Sequence, residues 1–378
     1  VMITTLIADH LFDGKTLHYN HPISIKNGKI IAFDTVKGAI ETKVSGLLTA
    51  GFIDTQVNGG GGYLLNQDTN LHTLKAMSTA HAKFGTSSFL PTLITSNLNK
   101  IEQTANLIST AIAQHTPGIL GVHFEGPHIS EPKKGIHSSQ QIRGLSQQEL
   151  DIYCRDDLGI KIVTLAPENV SCETIKILVE HGVHVCLGHS NASFEQAQAA
   201  LAAGATGFTH LFNAMSALES RAPNMVGAAL LDEQSWCGII LDGHHVHPST
   251  AKLAYKAKAA HKMMLVTDSM STIGSEQTQL HFDGHDINLV SDKLTSNSGQ
   301  LAGSALNMIT AVNNATQMLD ISLTDALNMA SLYPAEFLGI AGSRGQLTIG
   351  ANADLTLLST TNSSPRVLNT WIGGKAIF

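Results

Sequence analysis

A chain of 378 residues with 43% apolar content is long enough for one large barrel or two ordinary domains, with ample material for a sizeable core. Charged residues make up only 14%, the formal net charge is −7 and no Lys/Arg-rich block occurs, which argues against nucleic acid as a partner. No run approaches the ~20 apolar residues that cross a bilayer, the N-terminal stretch lacks signal-peptide character, and the four cysteines show no CxxC spacing, so the expectation is a cytoplasmic protein with no membrane partner.

Residues 2–48 read as short strands joined by tight turns: Ile3–Ala8, Ile23–Lys26 and Lys29–Phe33, the last two flanking Asn27-Gly28, a dipeptide suited to a type I′ hairpin. The texture then changes. Eight apolar runs follow: Gly51–Val57, Ser87–Leu93, Gly118–Phe124, Ile160–Leu165, Val183–Leu187, Thr206–Thr209, Cys237–Leu241 and Met263–Thr267. Most gaps between them carry a segment of helical period, such as Leu71–Phe84, Leu98–Gln114, Gln147–Leu158, Cys172–His181, Ser193–Ala203 and Pro248–Ala260. Eight strands alternating with helices predict an α/β fold, a (β/α)8 TIM-type barrel over residues 49–344. The helical stretches Ala305–Leu319 and Leu323–Leu338 would close its outside. The tail, 345–378, returns to β texture and is expected to join residues 1–48 in a small discontinuous β-sandwich domain.

In a barrel of this kind the chemistry sits where strands run out into the following loops. The rim so defined collects Gln56 and Asn58 after the first run, Glu125 after the third, His189 after the fifth, His210 after the sixth, His245 past the seventh and Asp268 after the eighth. The opposite ends begin with Gly51, Ser87, Gly118, Ile160, Val183 and Cys237, none of them an acid or an imidazole. A pair of strand-end histidines can equally be structural, and Glu125 can serve a salt bridge. Together, however, Glu125, His189 and His210 form the one-carboxylate, two-imidazole set that holds a divalent metal and leaves a position open. Asp268 is a candidate general base, with helix capping as its structural alternative. His123 shares the strand with Glu125 and reads as supporting or core before ligand. Gln56 and Asn58 stand where two histidines would add a second metal, and amides are poor ligands, so one metal is expected. Gly59–Gly62 lacks the GK[ST] of a phosphate loop and reads as a flexible turn over the site.

Several stretches resemble the amidohydrolase superfamily and, within it, the branch that deacetylates amino-sugar 6-phosphates. They are Ala50–Gly62, LPTLITS (Leu90–Ser96), GVHFEGPHI with KKGIH (Gly121–His137), TLAPE (Thr164–Glu168), GHSNAS (Gly188–Ser193), THLFNAM (Thr209–Met215), DGHHVHP (Asp242–Pro248), LVTDS (Leu265–Ser269) and LAGSALNM (Leu301–Met308). The resemblance implies one divalent metal per subunit, zinc first and Fe2+, Mn2+ or Co2+ as alternatives, on Glu125, His189 and His210. It implies Asp268 as catalytic acid/base, and His137 as the contact to the acetamido carbonyl. Ile136, Asn213, Ala214, Arg221, the Asp242, Gly243, His244, His245 segment and Leu301, Ala302, Gly303 would line a sugar phosphate pocket, with Gln56 and Asn58 as a vestigial second-metal position. It further implies a homodimer with the phosphate pocket near the subunit interface. The substrate so indicated is N-acetylglucosamine 6-phosphate, with the galacto epimer or another amide as alternatives. SMSTIGS after Asp268 and the doubled His244-His245 depart from the commoner pattern of the branch and bear on the sugar's stereochemistry.

Overall fold

The computed structural model describes residues 2–361 and 364–378; residues 1, 362 and 363, within the expected small-domain segments, lie outside the described residues. Eight parallel strands form the central sheet: β1 (Phe52–Val57), β2 (Thr86–Ile94), β3 (Gly121–Glu125), β4 (Ile160–Leu165), β5 (Val183–Leu187), β6 (Gly207–Phe208), β7 (Trp236–Ile239) and β8 (Met263–Leu265), paired in chain order. Between and after them run α1 (Leu71–Ala82), α2 (Leu98–Ala113), α3 (Gln147–Tyr153), α4 (Cys172–Glu180), α5 (Phe194–Ala202), α6 (Asn224–Leu231), α7 (Pro248–Ala257) and α8 (Met308–Leu319). β2 is apolar or hydroxylic throughout and buried along its whole length, as expected of a strand covered on both faces. Phe52, Phe89, Phe124 and Phe208 are among the largest side chains with almost no exposure and belong to the main, largely aliphatic core.

Closure of the barrel falls just beyond the ends of β1 and β8. Val57 bridges Ser269 in parallel, the Asp268 N–H donates to the Gln56 carbonyl at 2.9 Å and the Asn58 N–H to the Ser269 carbonyl at 3.0 Å. A buried carboxylate reinforces this seam: Asp54 Oδ2 meets Thr267 Oγ1 at 2.5 Å and Oδ1 accepts from the Thr267 and Gln56 backbone. The seam therefore fixes the residues on either side of Asp268. Pairing of Ile94 with Glu125 and of Glu125 with Thr164 brings the strand ends to one level.

The termini meet as expected. Strands Ile3–Phe12, Leu17–Lys26, Lys29–Ala32, Ile40–Ala50, Leu355–Leu358, Val367–Ile372 and Lys375–Ala376 form one seven-stranded sheet with its own core, including Leu11, Ile23, Ile30, Leu48 and Leu355. Four features differ from the sequence expectation. Strand Ile40–Ala50 begins in an exposed polar half that gives no apolar signal. The short helix α6 is apolar all round and therefore lacks a helical stripe. The stretch Leu323–Leu338 is two helices, α9 (Leu323–Ala330) and α10 (Leu332–Phe337), interrupted where Ser331 bonds back to the Leu327 carbonyl and Pro334 follows. Finally, three short strands, Gln279–Phe282, His285–Val290 and Lys293–Ser296, make a separate antiparallel sheet after β8.

Gly59–Gly62 is not a loose turn. Gly59–Gly60 pairs with Tyr63–Leu64, and the backbone N–H groups of Gly59, Gly61 and Gly62 donate to the carbonyls of Ser269, Ile273 and Ser271. Glycine is needed here for approach: a Cβ on Gly60 would stand 2.8 Å from the buried His81 Nε2. Among the described residues no helix is long and apolar enough to cross a membrane.

Candidate active site

Glu125 ends β3, His189 follows β5 by two residues and His210 follows β6 by two. Their ligand atoms converge: Glu125 Oε1 lies 3.1 Å from His189 Nε2 and 3.0 Å from His210 Nε2, and the two Nε2 atoms are 3.0 Å apart. All three residues are buried. His189 and His210 have φ of 47° and 32°, and Asp268 has 51°. Of Glu125, His189, His210 and Asp268, the last three thus occupy the sparsely allowed left-handed region, the kind of strain that a closely held site sustains.

The donor set fits a cation. His189 Nδ1 stands 2.8 Å from the Lys133 carbonyl, which can only accept, so Nδ1 carries the proton and Nε2 presents a lone pair. In the neutral ring that lone pair faces a carboxylate oxygen, acceptor against acceptor, unless a positive charge lies between them. Neighbouring ligand atoms around a tetrahedral zinc-type centre stand about 3.3 Å apart, close to the separations found here. Burial pushes the Glu125 carboxyl up, but the two imidazoles set against its oxygen, His189 and His210, outweigh it and hold the group well below its usual range. His210 moves the other way. Burial lowers it, and the Glu125 bond and charge more than offset that.

Asp268 sits beside the set. Gln56 Nε2 donates towards both Glu125 oxygens, at 3.2 and 3.1 Å, and towards Asp268 Oδ1 at 3.2 Å, so one amide NH2 links two carboxylates. Asn58 Nδ2 donates to Asp268 Oδ1 at 2.7 Å. Burial first, and the Glu125 charge second, push the Asp268 carboxyl up to about 6. The His137 ring lies against His189, tilted by 45° with centroids 4.3 Å apart, and burial keeps it well below the usual imidazole range. Asn58, Glu125, His137, His189, His210 and Asp268 line one cavity of roughly 230 Å3, and Gln56 stands behind it, linking the two carboxylates.

A family comparison decides what kind of site this is: residues 47–377 match the amidohydrolase family. The chain belongs to the amidohydrolase family. As an amidohydrolase it is 47% identical over 334 residues (88% of this chain, 84% of the relative) to N-acetylgalactosamine-6-phosphate deacetylase of Shewanella sp.. It is 34% identical over 359 residues (93% of each) to N-acetylglucosamine-6-phosphate deacetylase of Haemophilus influenzae. The crystal structure of N-acetylglucosamine-6-phosphate deacetylase from Pasteurella multocida superposes with a TM-score of 0.94 at 34% identity, covering 99% of both chains.

Of the residues expected at this amidohydrolase site, Ile136, His137, Asn213, Ala214, His245, Leu301 and Gly303 line the cavity with Asn58, Glu125, His189, His210 and Asp268. Others stand back from it. The Asp242 oxygens are taken up by His245 Nδ1 at 2.6 Å and by the backbone N–H groups of His244 and His245, so Asp242 bears on the cavity through His245. Gly243 is exposed, His244 reaches outwards to Asp292 at 2.9 Å, and Ala302 is packed in a core with Leu280, Ile287 and Leu294. Arg221 is exposed on the loop after β6 and does not line the cavity. His123 supports from below: its Nδ1 donates to the Thr55 carbonyl and its Nε2 meets Thr164 Oγ1 at 2.7 Å.

Met270, in the SMSTIGS stretch expected to bear on the sugar, lines the cavity; sequence reasoning passed over Ile94, Gly135 and Gln300, which also line it, and Glu168, which pins the loop after His189 by accepting from Ser190 Oγ and the Asn191 N–H at 2.6 Å each. It also passed over Thr95, whose Oγ1 lies 2.7 Å from His137 Nδ1. Thr95 directly follows β2, so the rim rule that selects Glu125 and Asp268 selects it too; a hydroxyl simply carries no chemical flag.

Proposed function

We propose that this amidohydrolase hydrolyses the acetamide of N-acetylglucosamine 6-phosphate to glucosamine 6-phosphate and acetate. The observation that carries the reading is the convergence of Glu125, His189, His210, Asp268 and His137 on one cavity, in a chain whose similar proteins include several deacetylases of N-acetylhexosamine 6-phosphates. Glu125, His189 and His210 would hold one divalent ion, zinc first, with Fe2+, Mn2+ and Co2+ as alternatives, Gln56 and Asn58 marking a lost second-metal position. When bound, such an ion supplies Lewis acidity and an acidified water. Asp268 takes the proton from the attacking water and returns it to the departing amine nitrogen. His137 donates from Nε2 to the carbonyl oxygen as charge develops there. Asn213, Ala214, Leu301 and Gly303 bound the sugar, and His245, oriented by Asp242, is a donor for its polar groups.

The exposure of Arg221 away from its own cavity supports a homodimer in which its guanidinium reaches the partner's sugar phosphate, a bidentate anion suited to it. The division into a catalytic barrel at 49–344 and a small domain from 1–48 and 345–378 belongs to the same reading, as does a cytoplasmic location, which the four free cysteines fit. The 47% identity to a galactosamine-type enzyme favours a second reading in which the 4-epimer is the better substrate.

Acetate release from both N-acetylhexosamine 6-phosphates and from unphosphorylated N-acetylglucosamine tests this. Turnover of a phosphorylated sugar is expected, with kcat/KM lower by at least ~100-fold without the phosphate, because remote binding energy orients the amide. No acetate from either phosphorylated sugar rejects the function, and a higher kcat/KM for the galacto sugar selects the second reading. The pH profile follows from Asp268. The base form is required, so kcat/KM falls as pH drops through the Asp268 pKa, about 6 in the metal-free protein. A cation on the ligand set opposes the Glu125 charge that raises this value. The acid limb of the loaded enzyme is therefore expected at or below that pH, and its midpoint in a kcat/KM titration checks it.

A further inference from the structure

We infer that Thr95 is a positioning residue that sets the tautomer of His137, holding its proton on Nε2 where the substrate carbonyl is to be met; this rests on the role given to His137 above. A neutral imidazole has one N–H, and a ring with the proton on Nδ1 would present a lone pair to the developing oxyanion and repel it. Something must choose between the two forms. Thr95 Oγ1 lies 2.7 Å from His137 Nδ1, and both side chains are buried, 6% and 4% exposed.

A hydroxyl can donate or accept, so the distance alone does not decide the direction. Among the described residues the Thr95 hydroxyl has no other hydrogen-bond partner. If Nδ1 donated to Oγ1, the hydroxyl hydrogen would be left buried and unbonded, at a cost of about 1–3 kcal/mol. If the hydroxyl donates to Nδ1, only spare lone pairs go unused, which is the milder deficit. The second arrangement puts the ring proton on Nε2. The packing fixes the hydroxyl in place. Gly126, with φ of 74°, lies against it so closely that a Cβ there would stand 2.3 Å from Oγ1. Thr95 follows Ile94, which itself lines the cavity, so the end of β2 anchors the arrangement on a rigid strand.

The test is nitrogen NMR of histidine-labelled, zinc-loaded protein, with the His137 signal identified by its loss in His137→Gln. Wild type and Thr95→Ser are expected to show the proton on Nε2. Thr95→Val, which keeps shape but leaves Nδ1 with neither donor nor acceptor, is expected to replace the single Nε2–H form by a mixture of tautomers and to lower kcat by about 10–100-fold with KM nearly unchanged. A wild-type signal with the proton on Nδ1 overturns the inference without any variant, and so does a Thr95→Val protein with unaltered tautomer and turnover. Full turnover in His137→Gln would instead remove the role assigned to His137, and the tautomer measurement would still report on Thr95.

Discussion

Asp268→Asn is expected to lower kcat by about 100- to 10,000-fold, the range of a lost general acid–base, while the protein keeps its fold and its metal. The substitution is mild everywhere except at the proton. Asp268 sits at φ of 51°, and Asn is the residue that tolerates this left-handed conformation best after glycine, so the turn between β8 and Ser269 is not strained by the change. Asn58 Nδ2 still finds an oxygen at Oδ1, and the backbone bond from residue 268 to the Gln56 carbonyl is untouched. What is lost is a carboxylate whose burial and proximity to Glu125 raise its affinity for a proton to a value useful near neutrality. Steady-state kinetics with metal analysis on the same sample separates the outcomes. Near-normal turnover in Asp268→Asn would sink the assignment. Loss of metal together with turnover would make residue 268 a ligand.

The barrel was legible because a strand buried on both faces must be a short apolar run, and eight such runs alternate with segments of helical period. β4 and β5 fall on the same residues in sequence and structure, and β2 differs by one residue at each end. The ligand set was legible for the same reason: once strand ends are located, ionisable groups at those ends stand out. What stayed hidden depends on partners that no linear pattern encodes. The bond from His189 Nδ1 to the Lys133 carbonyl involves a backbone group 56 positions away, and every residue has such a group. Asp242 reads as a contact residue until its oxygens are seen to be occupied by His245 and two amides. The three-stranded sheet at 279–296 was missed because only one face is covered: Leu280, Phe282, Ile287 and Leu294 are buried while His281, His285, Asp286 and Lys293 are exposed, and strands of four to six residues are too short for that alternation to register. That sheet packs onto Ile94, Ile136 and Met270, so an element absent from the sequence reading supports three walls of the cavity.

Glu125→Gln is expected to abolish metal binding and with it nearly all turnover. The carboxylate contributes the only negative charge among the three ligands, and a neutral amide is a weak ligand for a zinc-type ion. Geometry adds to the loss. Gln56 Nε2 donates to both Glu125 oxygens, so an amide at 125 sets one NH2 group against another on one side or turns it towards the imidazoles on the other. The decisive readout is stability rather than rate. A metal that binds only the folded state stabilises it by about 2.7 kcal/mol at 100 times its dissociation constant, so thermal unfolding of the wild type should shift upwards on adding zinc to chelated protein. Glu125→Gln should show no such shift, and its unfolding temperature should be the same with metal and with chelator. Because the substitution removes the carboxylate that pairs with His210, the variant's folded state should be less stable than that of the metal-free wild type, so each protein is compared with itself, with zinc and with chelator. A variant that holds one ion per chain and keeps the zinc-dependent shift would remove Glu125 from the ligand set and leave His189 and His210 to bind with another partner.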